Sequence, residues 1–138
     1  MTRDDAPSGT DRAADVRFRQ LFDGLQDAIV DFEFDDGEPV IRAVNDGFRE
    51  LFGVDETIVG TPLNELIVPS DRAPRSDRFD ERTAAGKPNR AIVSRRTESG
   101  VQTLLYRGIP YQGGARGFAV YTDLTDEIRQ ERELAVLN

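Results

Sequence analysis

Apolar positions along the chain change period several times, and each change marks an element. Phe18, Leu21, Phe22 and Leu25 fall at i, i+3, i+4 and i+7, one apolar stripe of a helix that begins near Asp15. From Ala28 the period drops to two. Ala28, Val30, Phe32 and Phe34 alternate with Ile29, Asp31, Glu33 and Asp35, which predicts a half-buried strand. Asp36-Gly37 is a hairpin turn signal, and residues 40–44 form the return strand. Asn45 then caps a short helix that carries Phe48, Leu51 and Phe52 on one face, with Gly53 in the position just past its end. Residues 71–87 are charged and broken by Pro74, with Phe79 the only large apolar side chain, and read as a short helix plus loop. Strands follow over residues 89–97, 101–111 and 115–122, joined through Glu98-Ser99-Gly100 and Gly113-Gly114.

The last change of period needs no loop. The strand ending at Thr122 runs into Asp123 and Thr125, whose side chains can accept from free N–H groups of a first helical turn. Asp126 and Glu127 place negative charge where the helix dipole favours it, and residues 128–138 are charged and free of Gly and Pro. Residues 1–14 carry no periodic apolar residue and are predicted to be a mobile arm. The order of helix, two strands, short helices, three strands and exit helix predicts an α+β fold. Its centre is one five-stranded antiparallel sheet with helices clustered on one face.

Composition narrows the chemistry. A chain of 138 residues suits one domain with a single core. It contains no Cys and no His. Thiolate chemistry, disulfides, the commonest general base and the usual haem ligand are therefore excluded. Adjacent acids such as Asp35-Asp36 and Asp80-Glu81 lie in turns or polar stretches, where carboxylates stay solvated rather than catalytic. Asp31-Phe-Glu-Phe-Asp-Asp-Gly37 has the alternating carboxylates and glycine of a cation loop, but the intervening phenylalanines mark a strand and exclude that reading. Gly113, Gly114 and Gly117 precede a strand rather than a helix and make a turn, not a phosphate cradle. Arg95-Arg96 offers an anion contact, but neighbours in a strand face opposite ways and the pair reads as surface charge. The net charge of −8 disfavours nucleic acid and anionic membranes. No apolar run approaches the roughly 18 to 20 residues of a bilayer span, so a soluble, cytoplasmic location is expected. Lys87 is the only lysine among many acids and arginines, a composition that suits high salt and gives a haloarchaeal-like, halophilic profile.

Three stretches in this order resemble PAS sensor domains. They are Val44-Asn-Asp-Gly-Phe-Arg-Glu-Leu-Phe-Gly53, then Gly60-Thr-Pro-Leu-Asn-Glu-Leu-Ile67 with Pro69-Ser-Asp71, and finally Asp123-Leu124-Thr125 before an acidic helix start. The last is similar to the Asp-Ile-Thr exit motif, with Leu in place of Ile. The resemblance covers residues 15–138 and implies a PAS domain over 15–123 with an N-terminal flanking helix and a signalling helix from 124. It implies a sensory, non-enzymatic module of the kind found in histidine kinases, two-component systems and chemotaxis-type transducers, and a fragment of a longer protein with an output domain.

Relatives that carry haem use a His and light-sensing relatives form Cys adducts, so both modes are closed here, while a non-covalent flavin stays open without a motif to support it. What the resemblance leaves is an unidentified small organic ligand, largely apolar. Its expected lining is Val30, Phe32, Ile41, Ala43, Phe48, Leu51, Phe52, Leu66 and Phe79, with Val93, Tyr106, Val120 and Tyr121 from the later strands. Thr122, Asp123 and Thr125 would transmit the change to the exit helix. Phe18, Leu21, Phe22 and Leu25 would form a homodimer interface. The alternative is a ligand-free dimerisation module whose interior is a solid hydrophobic core.

Overall fold

The computed structural model describes residues 9–125. Helix α1 spans Gly9–Gly24, so residues 9–14 are helical rather than part of an arm. Strands β1 (Ala28–Asp35) and β2 (Glu38–Val44) form the expected hairpin around Asp36 and Gly37, both at positive φ. Short helices α2 (Asp46–Phe52), α3 (Leu63–Ile67) and α4 (Ala73–Ala84) follow. Strands β3 (Asn89–Thr97), β4 (Gly100–Tyr111) and β5 (Arg116–Asp123) complete one antiparallel sheet of order β2-β1-β5-β4-β3. The two hairpin groups meet where β5 pairs with β1, with Val30 opposite Ala119. This is the predicted five-stranded α+β architecture.

The two faces of the sheet are used differently. One face is covered by α2, α3 and α4 and carries the core, with Val30, Phe32, Ile41, Val93, Leu104, Tyr106, Ala119 and Tyr121 all buried. Helix α1 lies on the other face, where Phe22 and Phe18 pack near the ring of Phe118 at 6.5 and 6.0 Å between centroids. Beside them Tyr111 stacks on Phe118 and donates to Asp31, which also pairs with Arg116 at 3.0 Å. Burial holds the Asp31 carboxyl above its ordinary range despite those partners.

Asn45 is the bolt between α1, β1 and α2. It is wholly buried, and its Oδ1 accepts from Phe48 N (2.9 Å), which caps α2, and from Ile29 N (2.8 Å). Its Nδ2 donates to the carbonyls of Phe22 and Asp27. Gly47 is required here because a Cβ would stand 2.5 Å from the Asp27 carbonyl oxygen. Gly53 ends α2 in the left-handed conformation, as its position after Phe52 predicts.

Helix α4 differs from its sequence reading. Pro74 sits in the first turn, where a missing N–H costs nothing, so it starts a twelve-residue helix rather than breaking one.

Candidate functional site

The covered face of β3, β4 and β5 presents a continuous row of side chains. Register puts Val93 opposite Leu104 and Tyr106 opposite Tyr121, with Arg95 two places along from Val93 on the same face. Helix α4 turns Ser76, Phe79, Asp80 and Thr83 toward this row at i, i+3, i+4 and i+7. Rings run through the interior in sequence: Phe79 to Tyr106 at 5.1 Å, Tyr106 to Tyr121 at 5.6 Å, Tyr121 to Phe52 at 5.6 Å and Phe52 to Phe48 at 4.5 Å. Between them is a void of about 10 Å3, bordered by Phe32, Leu63, Phe79, Arg95, Tyr106 and Tyr121. That is room for a single water.

This interior is more polar than an ordinary core. Asp80 Oδ2 accepts from Asn64 Nδ2 at 2.7 Å, and Ser76 Oγ donates to Asn64 Oδ1 at 3.2 Å. Burial pushes the Asp80 carboxyl up to about 7, against the Asn64 hydrogen bond and the charge of Arg95 that both favour the anion. Burial likewise raises the Tyr106 and Tyr121 hydroxyls. The Tyr106 hydroxyl lies over Gly108, where an added Cβ would be 2.3 Å away. Asn89 closes the far end, donating to Phe79 O and Thr83 Oγ1 at 2.9 Å each.

Arg95 is the outlier. It is only 4% exposed, yet among the described residues its partners are neutral: Nη1 donates to Ser94 O at 2.8 Å, and the guanidinium meets the Tyr121 hydroxyl. Its Nε is buried without a partner, and no ion pair reaches it among the described residues.

The predicted lining separates into two groups. Val30, Phe32, Ile41, Phe48, Phe52, Val93, Tyr106 and Tyr121 come together in the covered core, with Leu51, Leu66 and Phe79 half-buried against it. Ala43 and Val120 do not join them. A bulge shifts the β1–β2 register between Asp31 and Phe32, so Ile41 faces Phe32 while Ala43 faces Asp31 on the other side of the sheet. Val120 pairs with Ile29 and Arg107 on that same outer side, and Ala119 takes the inward place. Ala43 instead borders a groove of about 500 Å3 between α1 and β2. Sequence reasoning missed Arg95, Asp80, Asn64 and Ser76. The signal for Arg95 was available, since it shares the parity of Val93 along β3.

At the end of β5, Asp123 Oδ1 accepts from Thr125 N at 2.9 Å and from Thr125 Oγ1 at 2.5 Å. Thr122 Oγ1 accepts from Arg107 at 3.4 Å. The remainder of the predicted exit helix, residues 126–138, lies outside the described residues, as do residues 1–8. On α1, Leu21 and Phe18 are 63% and 47% exposed and Leu25, just after it, is also exposed, whereas Phe22 is buried within its own chain.

The chain belongs to the PAS domain family, whose model matches residues 16–87. Among curated proteins none matches in sequence. The fold is similar to the PAS domain of the Cronobacter turicensis RpfR quorum-sensing receptor in complex with BDSF, at 19% identity and a TM-score of 0.63, covering 73% of this chain and 96% of that one. It is also similar to the PAS domain of an HTR-like protein from Haloarcula marismortui, at 18% identity and TM-score 0.64 over 81% and 93% of the two chains. A domain of a sensory box sensor histidine kinase/response regulator from Geobacter sulfurreducens matches at 17% identity and TM-score 0.64, over 80% and 94%. At these identities the likeness is one of fold.

Proposed function

We propose that this domain is a sensory, signal-transducing module that takes a small, largely apolar molecule between the sheet and α4 and passes the change to an output domain. One observation carries the reading: the interior under β3–β5 holds a buried cation and a half-buried carboxyl that a solid core would not need. A fold neighbour, the Cronobacter receptor domain, holds BDSF in one structure and C12:0 in another.

The void is too small for any such ligand, so α4 must move. Its inward residues include one large apolar side chain, Phe79, and burying such a ring is worth about 1.5–3 kcal/mol. Micromolar binding supplies about 8 kcal/mol, enough to offset that loss. Tyr121 borders the void and lies two residues before Asp123, so displacement of its ring reaches the turn that Asp123 makes with Thr125. PAS domains are generally non-enzymatic, and the chain lacks the His and Cys that most such chemistry uses.

Mass spectrometry of the purified, gently desolvated protein tests this directly. A bound small organic molecule supports it, whereas a protein that carries none and takes up none from a hydrophobic metabolite panel overturns it. The second reading, ligand-free dimerisation, is favoured by the exposed Leu21 and Phe18 on α1 and by Leu25 just after it. Light scattering decides it, since a concentration-independent monomer would remove it. The acidic, lysine-poor composition supports a high-salt setting, in which melting temperature rises steadily from dilute buffer to molar potassium chloride.

A further inference from the structure

We infer that Arg95 is the anchor for the acidic head of a small amphipathic organic acid, whose apolar part lies against Phe32, Leu63, Phe79 and Ala119. The inference rests on the interior being a ligand site, and it names the ligand's chemical class. Arg95 stands almost fully buried on the covered face of β3, bordering the same void as those four residues. A buried guanidinium is tolerated when an anion and hydrogen-bond acceptors compensate it. Here the Nε–H has no acceptor, and the other partners, the Ser94 carbonyl and the Tyr121 hydroxyl, are neutral.

The chain's own groups do not compensate the charge. Asp80 acts on Arg95 through the interior, but no ion pair joins them, and its carboxyl is engaged by Asn64. Gln102, opposite Arg95 in the β3–β4 register, has a buried amide oxygen that also lacks a partner. A small turn joining Gln102 to Arg95 would satisfy the hydrogen bond and leave the cation unpaired. A water in the void would do the same. A carboxylate does both, because its two oxygens match the planar fork of donors and carry the missing charge. The Tyr121 oxygen accepts from the guanidinium, which leaves its own hydrogen free for the same head.

Octanoate and 1-octanol share a chain length and differ in the head, so they separate anchoring from apolar burial. Thermal melting of the 138-residue chain with each, below the concentration at which octanoate forms micelles, reads the difference. The expected result is a clear rise in melting temperature with octanoate, at least twice that with the alcohol. Arg95→Met, which keeps the length of the stem and removes the charge, should melt no lower than the parent without ligand. It should also respond equally to the two compounds. Equal shifts of the parent with both would overturn the role of Arg95 and leave the sensing function standing. An Arg95→Met chain that melts far lower unliganded would show a structural arginine and overturn the inference by itself. No shift with either compound, together with no co-purified molecule, would overturn the ligand reading on which the inference depends.

Discussion

Helices α2 and α4 lie on the same face of one sheet, yet they are fixed to it in opposite ways. Helix α2 inserts Phe48 and Phe52 into the core and is capped by Asn45, every polar atom of which is hydrogen-bonded. The backbone N–H of Glu98 adds a bond to Leu51 O, tying the β3–β4 turn to the same helix. Helix α4 faces the sheet with Ser76, Asp80, Thr83 and a half-buried Phe79, over Arg95, which makes no ion pair among the described residues. Apolar burial and satisfied polar groups make the first attachment rigid. The second rests on one half-buried ring and on hydrogen bonds to Asn64 and Asn89, with less apolar burial. On the proposed reading α2 with β1 is a fixed frame and α4 a movable wall beside the ligand site.

Substitutions that strike the frame should cost most. Phe48→Ala removes a fully buried ring and should lower unfolding free energy by about 3–5 kcal/mol in urea titration. Asn45→Ala strands the N–H groups of Ile29 and Phe48 and two carbonyls, and about 3 kcal/mol should be lost. A loss below about 1 kcal/mol at either position would erase the contrast.

The wall should show a pH dependence that the frame does not. The Asp80 carboxyl ionises at about 7 in the fold against 3.8 ordinarily, so between these values the folded chain keeps a proton that the unfolded chain has released. Stability from this group is complete below about pH 4 and is lost as pH rises toward 7, on the order of 4 kcal/mol in all. Urea midpoints at about pH 5 and about pH 8 should therefore differ in the parent, lower at the higher pH, and the difference should shrink in Asp80→Asn. Asp31, also raised by burial, contributes a similar slope to both proteins and cancels in the comparison.

Much of this architecture was legible because it rests on period and punctuation. The β1–β2 hairpin follows from alternation around Asp36-Gly37, and α2 from Asn45 and Gly53. The inner site was less legible for three physical reasons. The bulge opposite Asp31 and Phe32 reverses the facing of Ala43, and no local pattern announces it. Pro74 was weighed as a breaker although the first turn of a helix welcomes it. Arg95 carries the type of side chain that a strand normally gives to water, so its inward parity with Val93 went unused. The motifs within residues 44–71 lie inside the stretch that places the family, whereas the residues that make the interior unusual break the general rules.

Two smaller effects sharpen the comparison further. Phe79→Ala, on the wall, should cost about 1–2 kcal/mol because the ring is only half-buried, well under the cost at Phe48. Equal costs at the two rings would mean that α4 is as firmly seated as α2. Asp123→Ala removes the acceptor of Thr125 N and should cost about 1 kcal/mol, leaving the sheet intact. Faster amide exchange confined to the residues after Thr122 would fit that role, whereas loss of protection across β1, β5 and β4 would make Asp123 a core structural residue.

The frame and the wall are most directly compared by native-state hydrogen exchange on the unliganded chain across low concentrations of urea. The amides of residues 77–84 in α4 should exchange through a partial opening of lower free energy than global unfolding and nearly independent of urea. Those of residues 49–53 in α2 should exchange only with global unfolding. If both helices followed one urea-dependent isotherm, α4 would open only when the whole domain does, and the proposed entry to the interior would not exist.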